Sequence, residues 1–212
     1  MIKKISFSIS ENMPMYGNKN HFELKKLSSI KDGDTANSSS WIFQTNHIGT
    51  HIDFPKHFCK TGKSLSDYPN PIWIMDKIGL VECGIDGFEK EIDKVSNDIE
   101  FLIWKSGFGE YRNQEIYWKE QPVIPSVFAD LINQKFKNLI FFGFDMISLT
   151  SQLDKNEGKK IHNKFLCDYE ILIIEDMNLK VVSNDEKINK VIVSALDVEN
   201  ADGSPCSVHA FI

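Results

Sequence analysis

A single mixed α/β domain is the fold this sequence predicts. Three observations predict it: a length of 212 residues, short β-branched and aromatic runs along the whole chain, and helical periodicity between some of them. A chain of this size buries about 70% of its unfolded surface, so one core suffices. No internal repeat, low-complexity tract or Pro/Gly/Ser-rich linker divides residues 1–212. Composition is ordinary for a globular protein, with 42% hydrophobic and 25% charged residues.

Strands are predicted over Ile2–Ser8, Trp41–Phe54, Ile78–Cys83, Phe101–Trp104, Leu139–Phe144, Ile171–Ile174, Lys190–Val193 and Ser207–Ile212. Between two of these, Ser126–Phe136 carries Val127, Phe128, Leu131, Ile132 and Phe136 at helical spacing behind Pro125. Lys159–Leu166 is a second helix candidate, and the turn-rich Lys31–Ser40 reads as a surface loop.

Charge narrows the partners. Lys and Arg number 24 against 30 Asp and Glu, a net −6 that repels both a phosphate backbone and an anionic leaflet. Neither nucleic acid nor membrane is expected as a partner, which leaves a small-molecule substrate. No apolar run approaches the roughly 20 residues that span a bilayer. The start, MIKKISFSISENM, lacks the apolar stretch of a signal peptide, so a cytoplasmic location is expected. Cys59, Cys83, Cys167 and Cys206 are far apart without a CxxC pair and are expected to be reduced, mostly buried thiols.

The chemistry concentrates in His47-Ile48-Gly49-Thr50-His51-Ile52-Asp53-Phe54-Pro55-Lys56-His57-Phe58, which holds three of the six histidines and an aspartate. Imidazole nitrogen and carboxylate oxygen suit divalent zinc or manganese. A helical HExxH site needs Glu after the first His, where Ile48 stands. Ile48, Thr50 and Ile52 are β-branched and Gly49 and Pro55 break helices, so the segment is extended. His47, His51, Asp53 and His57 then share one parity and one face. Fully extended, His47 to Asp53 covers about 20 Å, far more than one ion bridges, so the strand must bend, with Gly49 as the hinge. Among His21, His162 and His209, His162 lies on the second helix candidate, and Glu175 closes the apolar run Ile171–Ile174, where a buried carboxylate needs a partner. These two are the best distant ligands.

HIGTHIDFPKHF resembles the HxGTHxDxPxHF motif of the cyclase-like metal-dependent hydrolases, whose best known members are bacterial kynurenine formamidases and isatin hydrolases. LIWKSGFGEY, LIFFGFDMISL and the ending DGSPCSVHAFI are similar to further family segments, so the resemblance covers nearly the whole chain. It implies a mixed-sheet swivelling β/β/α sandwich, assembled as a homodimer or homotetramer. It implies one or two zinc or manganese ions held by His47, His51, Asp53, His162 and Glu175, with Asp53 able to bridge. His57 would be the general acid and base. His162 and Glu175 stand 13 positions apart where the family pattern has 12, implying one inserted residue in the intervening turn. Lys105-Ser106-Gly107 stands for Arg-Thr-Gly, and Ser207 for an Arg of the last strand.

The expected activity is metal-dependent hydrolysis of a small amide, an arylformamide such as N-formylkynurenine or a cyclic imide or lactam. Activated water and a polarised carbonyl are what such a bond requires, and His57, set apart after Pro55 turns the chain, is free to carry the proton. The alternatives are a metal-dependent cyclase or dehydratase of the same fold, or a non-catalytic homologue that binds metal and ligand. Thr61-Gly62-Lys63-Ser64 imitates a phosphate loop, but His57 stands where its first glycine belongs, so a surface turn is expected. Asp145 and Ser148 are expected to brace the turn after Leu139–Phe144.

Overall fold

Two apolar cores lie on opposite faces of one sheet, and side-chain alternation along its strands puts them there. The computed structural model describes residues 1–18, 22–68, 70, 72–183 and 185–212; His21 falls outside them. In chain order the elements are β1 (Ile2–Lys4), β2 (Phe22–Ser28), β3 (Ser38–Phe43), β4 (His51–Asp53), β5 (Ile72–Met75), β6 (Ile78–Glu82), α1 (Phe88–Ile92), β7 (Phe101–Lys105), α2 (Ile116–Lys119), α3 (Val127–Lys135), β8 (Phe141–Phe144), α4 (Lys155–Asn163), β9 (Leu172–Glu175), β10 (Lys190–Ala195) and β11 (Gly203–Phe211).

The main sheet has the order β5-β10-β11-β4-β9-β8-β7-β6, with β1 also on β11. Strands β6, β7, β8 and β9 run parallel to one another; β4 is antiparallel to β9 and to β11, and β10 to β11 and β5. In the parallel half both faces are covered, which is why LIIE and FFGF are buried throughout. Phe101, Ile103, Phe141, Leu172 and Ile174 point to one core, where Val191, Val193, Val208 and Ala210 of the antiparallel half meet them. Leu102, Trp104, Phe142, Phe144 and Ile173 point to the other, covered by α1, α3 and α4 through Phe88, Phe128, Ile132 and Ile161. The layers are therefore sheet on sheet with helices outside, in agreement with the expected α/β sandwich.

The structure departs from the sequence reading in several places. The run Trp41–Phe54 is not one strand: β3 ends at Phe43 and pairs only with β2, while β4 joins the main sheet after a loop that turns at Gly49, φ +57. Strands β2 and β5 and the short helices α1 and α2 are too brief or too polar to show a period. The second helix begins earlier than expected, at Lys155, because Asp154 caps it by accepting from the N–H groups of Asn156 and Glu157. The cysteines are not all thiols: Cys59 and Cys167, 108 positions apart, form a disulfide, while Cys83 is half-buried and Cys206 buried. Distance along the chain hid a pair that folding sets with Cα atoms 5.6 Å apart. The Thr61–Ser64 segment is a turn as expected. No helix among the described residues is long and apolar enough to cross a membrane.

Candidate metal centre and substrate pocket

Register, not sequence proximity, assembles the centre. In the β4–β9 pair His51 lies directly opposite Glu175, and Asp53 is two residues along β4 on the same face. Ile52 and Ile174, one residue off in each strand, point into the core of the sheet-on-sheet layer. The ionisable side chains therefore emerge on the helix-covered face, where α4 delivers His162. Both imidazoles are fixed through Nδ1, which donates to a carbonyl: His51 to Gly49 at 2.8 Å and His162 to Gly158 at 2.7 Å. Each Nε2 is left as a lone pair facing inward.

Those lone pairs face acceptors. His51 Nε2 stands 3.3 Å from Asp53 Oδ1 and 3.5 Å from Glu175 Oε2; His162 Nε2 stands 3.3 Å from Glu175 Oε1 and 3.7 Å from Asp53 Oδ2. His51 Nε2 has no hydrogen-bond partner, the one such buried side-chain atom among the described residues. Two ligands bonded to one tetrahedral ion at about 2.0–2.1 Å stand roughly 3.3–3.4 Å apart, so the spacing fits donors around a cation. Asp53, His162 and Glu175 form one group able to hold a metal, and His47, His51 and Asp53 another, sharing Asp53.

Burial makes this cage costly without positive charge. Desolvation would lower the pKa of the His47 imidazole, but the Asp53 charge and the hydrogen bonds its ring donates to Asp202 and Asp53 override it and raise it to about 10. Burial likewise works against protonation of His51 and His162, yet the neighbouring carboxylates leave both raised. Burial opposes the charge on Asp53 too, and His47 and His51 hold it well below the usual carboxylate range. A proton and a metal ion answer the same demand here.

His47 precedes the Gly49 turn and packs against the start of β11. A Cβ on Gly203 would sit 2.4 Å from His47 Cε1, so this position has no room for a side chain. His57 closes the 3₁₀ turn Pro55–His57 after β4, its ring 3.8 Å from that of His47. Between them lies Asp202, a residue the sequence reading passes over. Its Oδ2 accepts from His57 Nδ1 at 3.1 Å and from His47 Nε2 at 3.2 Å. Only the β4–β11 register, which sets Gly203 opposite Asp53, brings it there. Phe58 stacks on the His162 ring at 4.5 Å, joining the His57 turn to α4.

The strand end carrying Glu175 is pinned from behind. Asp176, at φ +53, accepts a bidentate pair from Arg112 and the Tyr117 hydroxyl, and its carbonyl accepts from Thr50. Glu175 itself accepts from Leu149 N–H at 2.7 Å. Asp145 braces Ser106 and Gly107, whose N–H groups and hydroxyl donate to it, while Ser148 Oγ accepts from Thr150.

All six candidate site residues open onto one cavity of about 460 Å³. Pro14, Met15 and Tyr16 line it as well, as do the exposed Lys155 and Lys159 of α4.

The family model described as "Putative cyclase" matches residues 4–149. The chain belongs to the cyclase family. It is 30% identical over 168 residues to a kynurenine formamidase of Bacillus cereus, covering 75% of this chain and 73% of that protein. A kynurenine formamidase of Bacillus anthracis is 27% identical over 210 residues, 95% of this chain and 92% of its own. Among solved structures, an isatin hydrolase with bound thioisatinate superposes with a TM-score of 0.72 at 16% identity over 100% of this chain and 92% of that one. A structure described as a potential metal-dependent hydrolase with cyclase activity gives 0.71 at 19%, covering 99% and 96%. The cyclase-family fold thus extends past the matched segment to both elements that carry His162 and Glu175. Between them, Lys164–Asp168 form a π-helix in which Tyr169 N–H reaches back to Lys164. A π-turn takes up one extra residue without breaking the helix.

Proposed function

We propose that this cyclase-family chain is a metal-dependent hydrolase of small-molecule amides, an arylformamide or a cyclic imide or lactam. The observation that carries the reading is the buried His51 Nε2, without a hydrogen-bond partner and facing two carboxylates beside an open cavity. The relatives named kynurenine formamidase support the amide class. In this reading His51, Asp53, His162 and Glu175 hold divalent metal with His47, as one or two ions of zinc or manganese. Such an ion, when bound, acidifies water and polarises an amide carbonyl.

The remaining steps fall to the protein. His57, oriented through Nδ1 by Asp202, keeps Nε2 for the proton taken from water and passed to the leaving nitrogen. Buried Phe54 and Ile52 back the cage and keep it from relaxing outward. Chelator treatment of the purified protein should abolish hydrolysis of N-formylkynurenine, isatin or a cyclic imide, and zinc or manganese should restore it. Metal-independent turnover would overturn the reading.

The β2–β3 ribbon supports a homodimer or homotetramer. Leu24, Leu27, Trp41 and Ile42 are each more than half exposed on it, and two strands alone are marginally stable in water. Light scattering after size exclusion tests this, with Trp41→Glu expected to shift the mass toward the monomer. A cytoplasmic location belongs to the same proposal. The Cys59–Cys167 bond is one that a reducing compartment would open, so alkylation at cell lysis tests the location: four free cysteines support it, and Cys83 and Cys206 alone would overturn it.

A further inference from the structure

Lysines on and just after α4 divide into two kinds. Lys160 donates to Glu157, and Lys164, just past the helix end, donates to both oxygens of Asp130. Lys155 and Lys159 border the cavity, and no carboxylate or other acceptor among the described residues holds either ammonium. They are four residues apart and share one helix face. The acids beside and between them in sequence are engaged elsewhere: Asp154 caps the helix and Glu157 accepts from Ser126 and Lys160. In a chain of net charge −6, acids to pair these lysines are plentiful, yet none is supplied at the mouth of the metal cavity. Met15 and Tyr16, apolar surface with one hydroxyl, line the same cavity.

We propose that Lys155 and Lys159 receive an anionic group of the substrate, so that the amide cleaved here carries a carboxylate at the end remote from the scissile bond. This rests on the amide-hydrolase reading above and adds the substrate's charge to it. The His51, Asp53, His162 and Glu175 cage would hold the ion that takes the amide, Met15 and Tyr16 offer apolar surface to the body of the molecule, and the two ammonium groups hold its far end. Because both lysines are exposed, their contribution is screened by salt.

The test pairs 4-formamidobenzoate with neutral formanilide on metal-loaded protein. Wild type should bind and hydrolyse the anion better, and 0.5 M NaCl should narrow the gap. The double variant Lys155→Ala/Lys159→Ala should raise KM and Kd for 4-formamidobenzoate by about 10-fold or more with kcat little changed, leave formanilide within about twofold, and keep its metal and melting temperature. Lys155→Arg/Lys159→Arg should restore most of the preference. Equal handling of the two compounds by wild type, or a preference that survives in the double variant because the carboxylate contacts the metal instead, overturns the proposal. Should neither compound be hydrolysed, the arylformamide branch of the amide-hydrolase reading fails, while calorimetric Kd values for the same pair still decide the role of the lysines.

Discussion

The floor and the rim of the cavity are built by opposite rules. On the floor, His51, Asp53, His162 and Glu175 are each at most 4% exposed, every nitrogen and oxygen is aimed by strand register or a carbonyl, and the whole is backed by the sheet. At the rim, Lys155, Lys159 and Tyr16 are exposed and the lysines are held by nothing within the described chain. On the reading proposed above, the difference separates chemistry from selectivity: a rigid, desolvated cage would fix the reaction, and a wet, adjustable edge would choose what is presented to it.

Substitutions on the floor should break this contrast most violently. His51→Ala should lower both metal content and turnover, the latter by about 10³-fold or more given the several kcal/mol a metal supplies. A floor variant with normal metal stoichiometry and normal turnover would mean the cage is not the reactive centre. His57→Ala stands between floor and rim. It should spare metal and cost about 10² to 10⁴ in kcat, the range for a positioned acid or base. Asp202→Asn, which keeps shape but weakens the orientation of His57, should cost about 10- to 100-fold. If Asp202→Asn strips the metal instead, the His47–Asp202 contact matters more than the His57 one.

The disulfide sharpens the contrast by a different route. Cys59 follows the His57 turn and Cys167 follows α4, so the bond ties that turn to the helix that carries both His162 and the rim lysines. Closing a loop of 108 residues should stabilise the fold by about 2–4 kcal/mol. Cys59→Ser/Cys167→Ser should therefore lower the unfolding midpoint under non-reducing conditions. Phe58, stacked on His162, already joins the same two segments, so kcat should fall far less than in His57→Ala.

The floor was largely legible in the sequence and the rim was not. His47, His51, Asp53 and His57 could be read because they share a parity within one short segment and Gly49 could be seen as the hinge. His162 and Glu175 were reachable because a carboxylate closing an apolar strand needs a partner. Asp202 was hidden, since its place depends on which strand β11 pairs with and in what register. Lys155 and Lys159 were hidden for another reason: a lysine on a short polar helix looks the same whether its face meets solvent or a cavity. The Cys59–Cys167 pair failed for the same want of tertiary information.

The smallest effect expected comes from the junction that sets the angle of α4, and hence both floor and rim. Glu157 on α4 binds the start of α3, its Oε1 accepting from Ser126 N–H at 2.7 Å. Hydrogen bonds from Ser126, side chain foremost and then backbone, hold the Glu157 carboxyl at about 2 against an ordinary 4.5. Its folded-state value is the lower one, so the stabilisation is complete above pH 4.5 and is lost as pH falls toward 2, where the folded form must also take up the proton. Metal-free wild type and Glu157→Gln should accordingly differ in unfolding midpoint at pH 7 and converge as the pH is lowered through that window. Protonation of the metal cage is common to both and cancels in the difference. Curves that run parallel down to pH 2 would show that Ser126 finds another acceptor, and that α4 owes its placement to Ile161, Phe165 and the disulfide alone.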